Sequence, residues 1–399
     1  MPACCASSET PVKVSPSRSV PVDFYRGLAM LMIVVDHIGG SILSRVTMHR
    51  FAYPDAAEAF VFLCGFALTG AWCGWRERAP ETAQGKLLRR IWPIYRGFLI
   101  CAVAMMSTTL ILRVFDVSAP NLPFTAVDRL LSSPFSFLLD VATLREQPYL
   151  SSVLPMYLIF VACAPVLLPC AMRRPLPTLA ASLVVWWLAP SALVWLPGVG
   201  GAMGSAVESA RVWPFNPFAW QLMFVLGVLA HSLPVQRVFS SRMGFWSVGG
   251  VAIASVVGFG IYRVGFTPAY LDASLKQNLS WLRVVNFVAI AWVCAMVAQA
   301  GWLARLGKGI NWIVAVGRQS MPCFIAGAVI SLVLDSVLFE ATEGLLDYPA
   351  GLLTDVVALS ALFGFALSWR AFQSSRAPSP IVPTTGKGLA RMPRGEALE

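Results

Sequence analysis

The sequence predicts an all-α protein that crosses a membrane about ten times, with both termini in the cytoplasm. Apolar residues make up 57% of the 399 residues and charged residues only 13%, a balance too apolar for an ordinary soluble domain. Apolar runs recur along the whole chain, and each is long enough to cross the hydrocarbon core of a bilayer as a helix. Lys and Arg are distributed unevenly between the segments that connect these runs.

The ten runs follow one another with short connections. Pro or Gly interrupts the segments near residues 177, 244 and 310, and both residues are common in membrane helices. The predicted spans are residues 27–45, 56–75, 91–112, 150–171, 177–197, 216–234, 244–263, 282–301, 318–339 and 350–370.

The basic residues predict the orientation. If the N-terminus is cytoplasmic, 20 of the 30 Lys and Arg residues fall on the cytoplasmic side and nine on the outer side. Such a bias is typical of inner segments, so it places both termini in the cytoplasm. The net charge of +10 is then explained by topology, and no basic run with interleaved aromatic residues indicates nucleic-acid binding.

The ends of the chain differ from its middle. Residues 1–20 are rich in Ser and Pro and predict a disordered cytoplasmic tail, and residues 372–399 predict a second, basic cytoplasmic tail. Residues 21–371 form one predicted integral-membrane domain. The nine cysteines show no CxxC or Cys/His spacing, so the sequence indicates no metal site.

Ionisable residues in the first apolar run provide the strongest functional signal. Arg26 and His37 are eleven residues apart, which on a helix is about three turns and about 16 Å of rise, so they share one face. Asp36 precedes His37, and both are expected near the bilayer centre, where ionisable residues are costly and typically functional. Asp55 and Glu58 lie one turn apart at the start of the second run.

Seven short segments follow one another over about residues 20 to 370. They are Asp23-Phe24-x-Arg26-Gly27, Asp36-His37, Asp55-Ala56-Ala57-Glu58-x-Phe60-Val61-Phe62, Pro155-Met156-Tyr157, Phe215-Asn216-Pro217-Phe218-Ala219-Trp220-Gln221, Lys276-x-Asn278-Leu279 and Gly317-Arg318-Gln319-Ser320. In this order they resemble the OpgC family of the membrane acyltransferase-three superfamily, and Arg26 followed by ten residues and His37 is similar to the Arg-x10-His signature of that superfamily. One departure is Cys64, which stands where the pattern usually has Ser before Gly-Phe.

This resemblance implies an enzyme of the bacterial inner membrane that acylates osmoregulated periplasmic glucans. The acyl group, succinyl being the familiar one, would pass from a cytoplasmic donor to sugar hydroxyls on the outer side. The implied donor is an acyl-CoA, succinyl-CoA or acetyl-CoA, used as a substrate and not as a tightly bound cofactor. Homo-oligomerisation stays open.

Residue roles follow from the resemblance and from chemistry. A hydroxyl needs a base at neutral pH, and His37 is the candidate, either as general base or as a transient acyl carrier. Asp36 points about 100° away from His37 on a helix, so Glu58 or Asp55 is expected to orient the ring. We expect Arg26, Lys86, Arg89, Arg90 and Arg318 to bind the donor phosphates, and Asn216, Gln221, Asn278 and Gln319 to bind sugar.

Other interpretations remain open. Any inner loop collects Lys and Arg, and buried amide side chains often join helices through hydrogen bonds. A proton-coupled transporter with an Asp36, His37 and Glu58 relay is the alternative of a different class. Within the enzyme class, the acceptor could instead be an O-antigen, an exopolysaccharide or a lipid-linked sugar.

Overall fold

The computed structural model describes residues 19–117, 119–192, 213–232, 241–266 and 276–376. These ranges contain helices and no strand, which confirms the all-α fold. Ten long helices occur in the predicted order: α1 (Val20–Asp36), α2 (Ala56–Arg78), α3 (Ile91–Val114), α4 (Val153–Arg173), α5 (Pro175–Ala192), α6 (Pro217–Ser232), α7 (Arg242–Phe266), α8 (Trp281–Gln299), α9 (Ser320–Thr342) and α10 (Tyr348–Arg376).

Eight of these helices are long and apolar enough to cross a membrane, namely α2 to α5 and α7 to α10. Helices α1 and α6 are shorter, with 17 and 16 residues. The chain is therefore a polytopic membrane protein.

The first predicted span, residues 27–45, is wrong at both ends. Helix α1 begins at Val20 and ends at Asp36, and His37 adopts a non-helical backbone conformation as its C-cap. The chain then turns through Gly39 and Gly40 before two short helices, Leu43–Val46 and Met48–Phe51. His37 consequently lies at the end of α1 and not in the middle of a continuous span.

The reason for this early end lies in distant helices. Buried carboxylates of Asp335 on α9 and Asp355 on α10 accept hydrogen bonds from the backbone N–H groups of the segment that follows α1. These N–H groups therefore have partners outside a helix, and Gly39 and Gly40 also make helix continuation less favourable.

The ninth predicted span, residues 318–339, is divided by Gln319 into two helices. A short helix, Asn311–Arg318, precedes the break, and α9 starts after it at Ser320. The other spans agree with helices, although residues 193–197 and 233–234 lie outside the described residues. Helix α10 continues to Arg376, so it includes the first residues of the predicted tail 372–399.

Glycines let two helix pairs approach closely. A Cβ atom on Gly65 of α2 would lie 2.2 Å from the Phe224 carbonyl oxygen of α6, and one on Gly227 would lie 2.0 Å from the Phe62 carbonyl oxygen. Gly317 stands in the same relation to α1, since its Cβ would be 1.8 Å from the Asp23 carbonyl oxygen. Small residues at such crossings are a usual means of membrane helix packing.

Candidate active site

A cavity of about 960 Å³ follows the length of α1 between the helices. Arg26 lines one end of it, together with Ile94 of α3 and Met321 of α9. His37 and Lys276 line the other end. The wall between the two ends is largely apolar and includes Ile33, Phe60 and Phe324.

His37 is held by the backbone of its own helix. Its Nδ1 lies 2.7 Å from the carbonyl oxygen of Ile33, one turn earlier. A carbonyl oxygen only accepts hydrogen bonds, so Nδ1–H donates and the neutral ring carries its lone pair on Nε2. The ring also makes an edge contact with Tyr149, with 6.2 Å between centroids. This arrangement leaves a basic nitrogen on a side chain that lines the cavity.

Asp36 has a separate role beside His37. Its Oδ1 accepts a hydrogen bond of 2.6 Å from the hydroxyl of Thr47, which lies after the turn. Asp36 also lines the cavity. Its carboxylate therefore ties the end of α1 to the start of the short helix Met48–Phe51.

Asp55 lies beside two basic side chains at the His37 end of the cavity. It is the N-cap of α2, and its Oδ2 lies 2.6 Å from Lys276 Nζ and 3.4 Å from Arg283 Nη2. Burial by itself raises the pKa of Asp55, but Lys276 and Arg283 outweigh it and hold that pKa below its ordinary value. Asp55 is therefore ionised and balances these cations.

Glu58 belongs to the same capping arrangement. Its Oε2 accepts from the N–H of Asp55 at 2.9 Å, while its Oε1 lies 2.6 Å from Nε of Arg283. Glu58 and Arg283 are both almost completely excluded from solvent. The charge pair connects α2 to α8 and fixes the start of α2.

The expectation that Glu58 or Asp55 orients His37 is therefore wrong. The Ile33 carbonyl oxygen holds Nδ1 of His37, Glu58 is engaged by Arg283 and by the α2 N-terminus, and Asp55 faces Lys276. The physical reason is that a buried carboxylate and a buried guanidinium satisfy each other more completely than either would satisfy a neutral imidazole.

The predicted donor-binding residues occupy different positions around the Arg26 end. Arg26 lines the cavity, and its Nη2 donates to the Leu63 carbonyl oxygen at 3.1 Å. Lys86 is half-buried, whereas Arg89 and Arg90 are exposed, and Arg90 lies over the Trp75 ring at 4.8 Å. Arg318 is exposed, and its Nε lies 3.4 Å from Oδ2 of Asp23.

Of the predicted donor-binding residues, Arg26 alone is in the cavity wall. Lys86, Arg89, Arg90 and Arg318 do not line it. Ile94 comes one turn after Arg90, and Ser320 comes two residues after Arg318, and both line the cavity. Arg90 and Arg318 thus come close in sequence to residues that line the cavity without lining it themselves.

The four predicted sugar-binding amides make hydrogen bonds within the protein. Asn216 is fully buried and donates to the Ala189 carbonyl oxygen at 2.7 Å and to Asn278 Oδ1 at 2.8 Å. Gln221 makes two hydrogen bonds with Ser182, and Gln319 donates to Gln373 at 3.2 Å. None of the four lines the cavity. Their observed contacts match the structural interpretation of these residues.

Sequence reasoning missed several residues of the cavity wall. Lys276 and Tyr157 were visible within the family-like segments, but no spacing rule connected them with His37. The buried hydroxyl of Tyr157 and the buried Oε1 of Gln147 have no hydrogen-bond partner among the described residues. Polar atoms of this kind in a cavity wall are able to bind a polar ligand.

The described residues contain no group of three His, Cys, Asp or Glu side chains that is placed to hold a metal ion. The polar groups of the cavity wall include imidazole, carboxylate, amine and guanidinium groups, which suit acid–base chemistry and anion binding.

Comparison with known proteins identifies the family. Neither the curated proteins nor the solved structures include a match to this chain. A family model described as OpgC protein matches residues 18–374, a range that includes all ten long helices except the last residues of α10. This match indicates activity of the acyltransferase type, and the chain belongs to the OpgC family.

Proposed function

We propose that this protein transfers an acyl group, with succinyl as the first candidate, from a cytoplasmic acyl-CoA to hydroxyls of a periplasmic glucan. The observation that carries the proposal is the single cavity that joins Arg26 to His37. Its apolar middle suits the pantetheine arm and acyl chain of a donor. Its polar His37 end suits a sugar hydroxyl.

The chemistry requires one base. Nε2 of His37 takes the proton of the acceptor hydroxyl as the oxygen attacks the thioester carbonyl carbon. The C–O bond forms, the C–S bond breaks, and the imidazolium returns the proton to the departing thiolate. His37 is then neutral again, and the products are the ester and free CoA. The hydrogen bond to Ile33 keeps the ring in the required tautomer throughout.

The direction of access rests on topology. The charge bias supports a bacterial inner-membrane protein with the Arg26 end of the cavity towards the cytoplasm and the His37 end towards the periplasm. A donor whose nucleotide stays among Arg89, Arg90 and Arg318 would then extend its thioester along α1. The distance from Arg26 to His37 is about 16 Å along the helix axis.

Proteoliposomes test both the reaction and its sidedness. Purified protein is reconstituted with glucan inside the vesicles, radiolabelled succinyl-CoA or acetyl-CoA is added outside, and label in the glucan is measured. We expect transfer when donor and glucan are on opposite sides, and also in detergent. No transfer in detergent would exclude the reaction with these donors. Transfer in intact vesicles with both substrates on one side only would contradict the sidedness.

The arrangement of Glu58 does not support the transporter alternative, which requires a proton relay through Asp36, His37 and Glu58. Glu58 is bound to Arg283 and to the α2 N-terminus and does not line the cavity that contains Asp36 and His37. A chain of proton exchange from His37 to Glu58 therefore has no direct contact to use.

The donor-binding role of Arg89 and Arg90 has its own prediction. The double substitution Arg89→Ala and Arg90→Ala is expected to raise KM for the acyl-CoA while leaving kcat nearly unchanged. A phosphate contact stabilises the ground state and the transition state equally, so its loss weakens binding without slowing the bound complex.

The matched control is Arg305→Ala with Lys308→Ala, which removes two exposed charges from another segment assigned to the cytoplasm. Initial rates over a range of donor concentrations give both constants. If the donor KM of the Arg89 and Arg90 variant equals that of the control, these arginines do not bind the donor and contribute only to the membrane orientation of the protein.

A further inference from the structure

The segment between α1 and α2 begins with His37 and is held by carboxylates that are far away in sequence. Residues 37–47 form turns and a short 3₁₀ helix, a conformation that leaves backbone N–H groups without α-helical partners. We call residues 37–47 the His37 loop. Side chains from both of its neighbours, α9 and α10, reach these N–H groups.

Asp335 on α9 holds the first turn of the His37 loop. Its Oδ1 accepts from the N–H of Gly39 at 2.7 Å, and its Oδ2 accepts from Nδ2 of Asn121 at 2.7 Å. Asp335 is buried. Hydrogen bonds to a charged acceptor are stronger than those between neutral groups, so this contact fixes the backbone two residues after His37.

Asp355 on α10 holds the middle of the loop. Its Oδ2 accepts from the N–H groups of Ile42 and Leu43 at 2.9 and 2.8 Å. Its side chain is completely buried, and Oδ1 has no hydrogen-bond partner among the described residues. A single oxygen atom therefore makes both contacts with the loop.

Two further contacts complete the arrangement. A Cβ atom on Gly351 of α10 would lie 2.3 Å from the Gly40 carbonyl oxygen, so the backbones of α10 and the loop are in direct contact. At its far end the loop is tied back to α1 by the hydrogen bond from Thr47 to Asp36. The position at which α1 ends is thus determined by α9, α10 and the loop itself.

We propose that Asp335 and Asp355 are positioning residues for acyl transfer, because they hold the His37 loop and thereby place the His37 ring in the cavity. This inference rests on the proposed function. If the loop N–H groups lost these acceptors, the loop and the end of α1 would shift together. A misplacement of about 1 Å in a reacting group can cost about 10²-fold in rate.

Two substitutions at Asp355 distinguish the effect of losing the hydrogen-bond acceptor from the effects of losing charge or changing size. Asp355→Leu keeps a similar shape but removes the acceptor, and we expect kcat to fall about 10²-fold with an unchanged donor KM. Asp355→Asn keeps one oxygen that can accept from both N–H groups, and its amide group replaces Oδ1, which has no partner to lose. The Asn variant is therefore expected to keep most of the wild-type kcat.

Hydrogen–deuterium exchange measures how well the N–H groups of the His37 loop are protected, independently of activity. Peptides that cover Gly39, Ile42 and Leu43 should exchange faster in Asp355→Leu and at the wild-type rate in Asp355→Asn. Asp347→Leu is the matched control, because Asp347 is exposed and caps Ala350 at the start of α10 without contacting the loop.

Each outcome decides one point. Unchanged exchange in Asp355→Leu would overturn the anchoring, and faster exchange with unchanged kcat would overturn the positioning role. If Asp355→Asn were as slow as Asp355→Leu, the loss of kcat would not be due to the loss of the hydrogen-bond acceptor. If the wild-type protein had no transfer activity, the proposed function and the role of Asp355 in it would be contradicted. The exchange rates would still show whether Asp355 anchors the loop.

Discussion

Replacing His37 with glutamine is expected to lower kcat for acyl transfer about 10²- to 10⁴-fold, while the protein still folds and inserts into the membrane. Glutamine keeps hydrogen bonding but cannot accept a proton at neutral pH. His37→Ala removes both properties and should be similarly inactive. The loss should lie at the upper end of the range, because the same ring also holds the hydroxyl in line with the thioester.

The measurement is initial-rate transfer of labelled acyl groups to glucan, alongside size-exclusion elution and thermal unfolding of each variant in detergent. His231→Gln is the control, since His231 packs against Phe66 with 4.9 Å between ring centroids, next to Gly70 of α2 and away from the cavity wall. A His37→Gln variant with nearly wild-type transfer would make His37 a structural histidine and disprove the mechanism.

The second large effect concerns stability. Arg283→Met should destabilise the protein by about 3 to 5 kcal/mol, because it leaves the buried carboxylate of Glu58 without its cation. Glu58→Gln should also be costly, since Arg283 would lose its 2.6 Å contact with the Glu58 carboxylate and keep the longer one of 3.4 Å with Asp55. The double variant with both substitutions should lose clearly less than the sum of the two, since each single change removes the same buried contact between Glu58 and Arg283, which the double variant loses only once.

Thermal unfolding of the purified variants in one detergent measures this coupling. Arg113→Met is the control, because it breaks a surface ion pair of 2.6 Å with Asp128, and such pairs contribute little. Additive losses at Glu58 and Arg283 would mean that the pair is not coupled. A folded Glu58→Gln protein with wild-type kcat would agree with the structural role, whereas a loss of kcat without a loss of stability would restore a catalytic one.

The helices were predictable because their signal is local. An apolar run long enough to cross a bilayer becomes a helix whatever its neighbours are, since the backbone polar groups have no other partners in hydrocarbon. Helices α2 to α8 accordingly follow the predicted spans. The family motifs were equally readable, and two glycines within them, Gly27 and Gly317, lie where α1 crosses the short helix Asn311–Arg318.

The end of α1 was not predictable in the same way. Residues 27–45 are apolar enough for one helix, and the sequence around Gly39 and Gly40 only weakens that expectation. The groups that favour the His37 loop, Asp335 and Asp355, lie about 300 residues later in the chain. Local patterns contain no information about such partners.

The same distinction separates the correct and incorrect assignments of residues. By itself, the sequence determined the membrane class and the order of the helices, because both depend on residues close together in the chain. Tertiary structure alone decided that Glu58 pairs with Arg283, that Asn216 joins helices, and that Ile33 and not a carboxylate orients His37. The physical reason is that a buried polar group must find a partner, and which partner lies within hydrogen-bond distance depends on how distant helices pack.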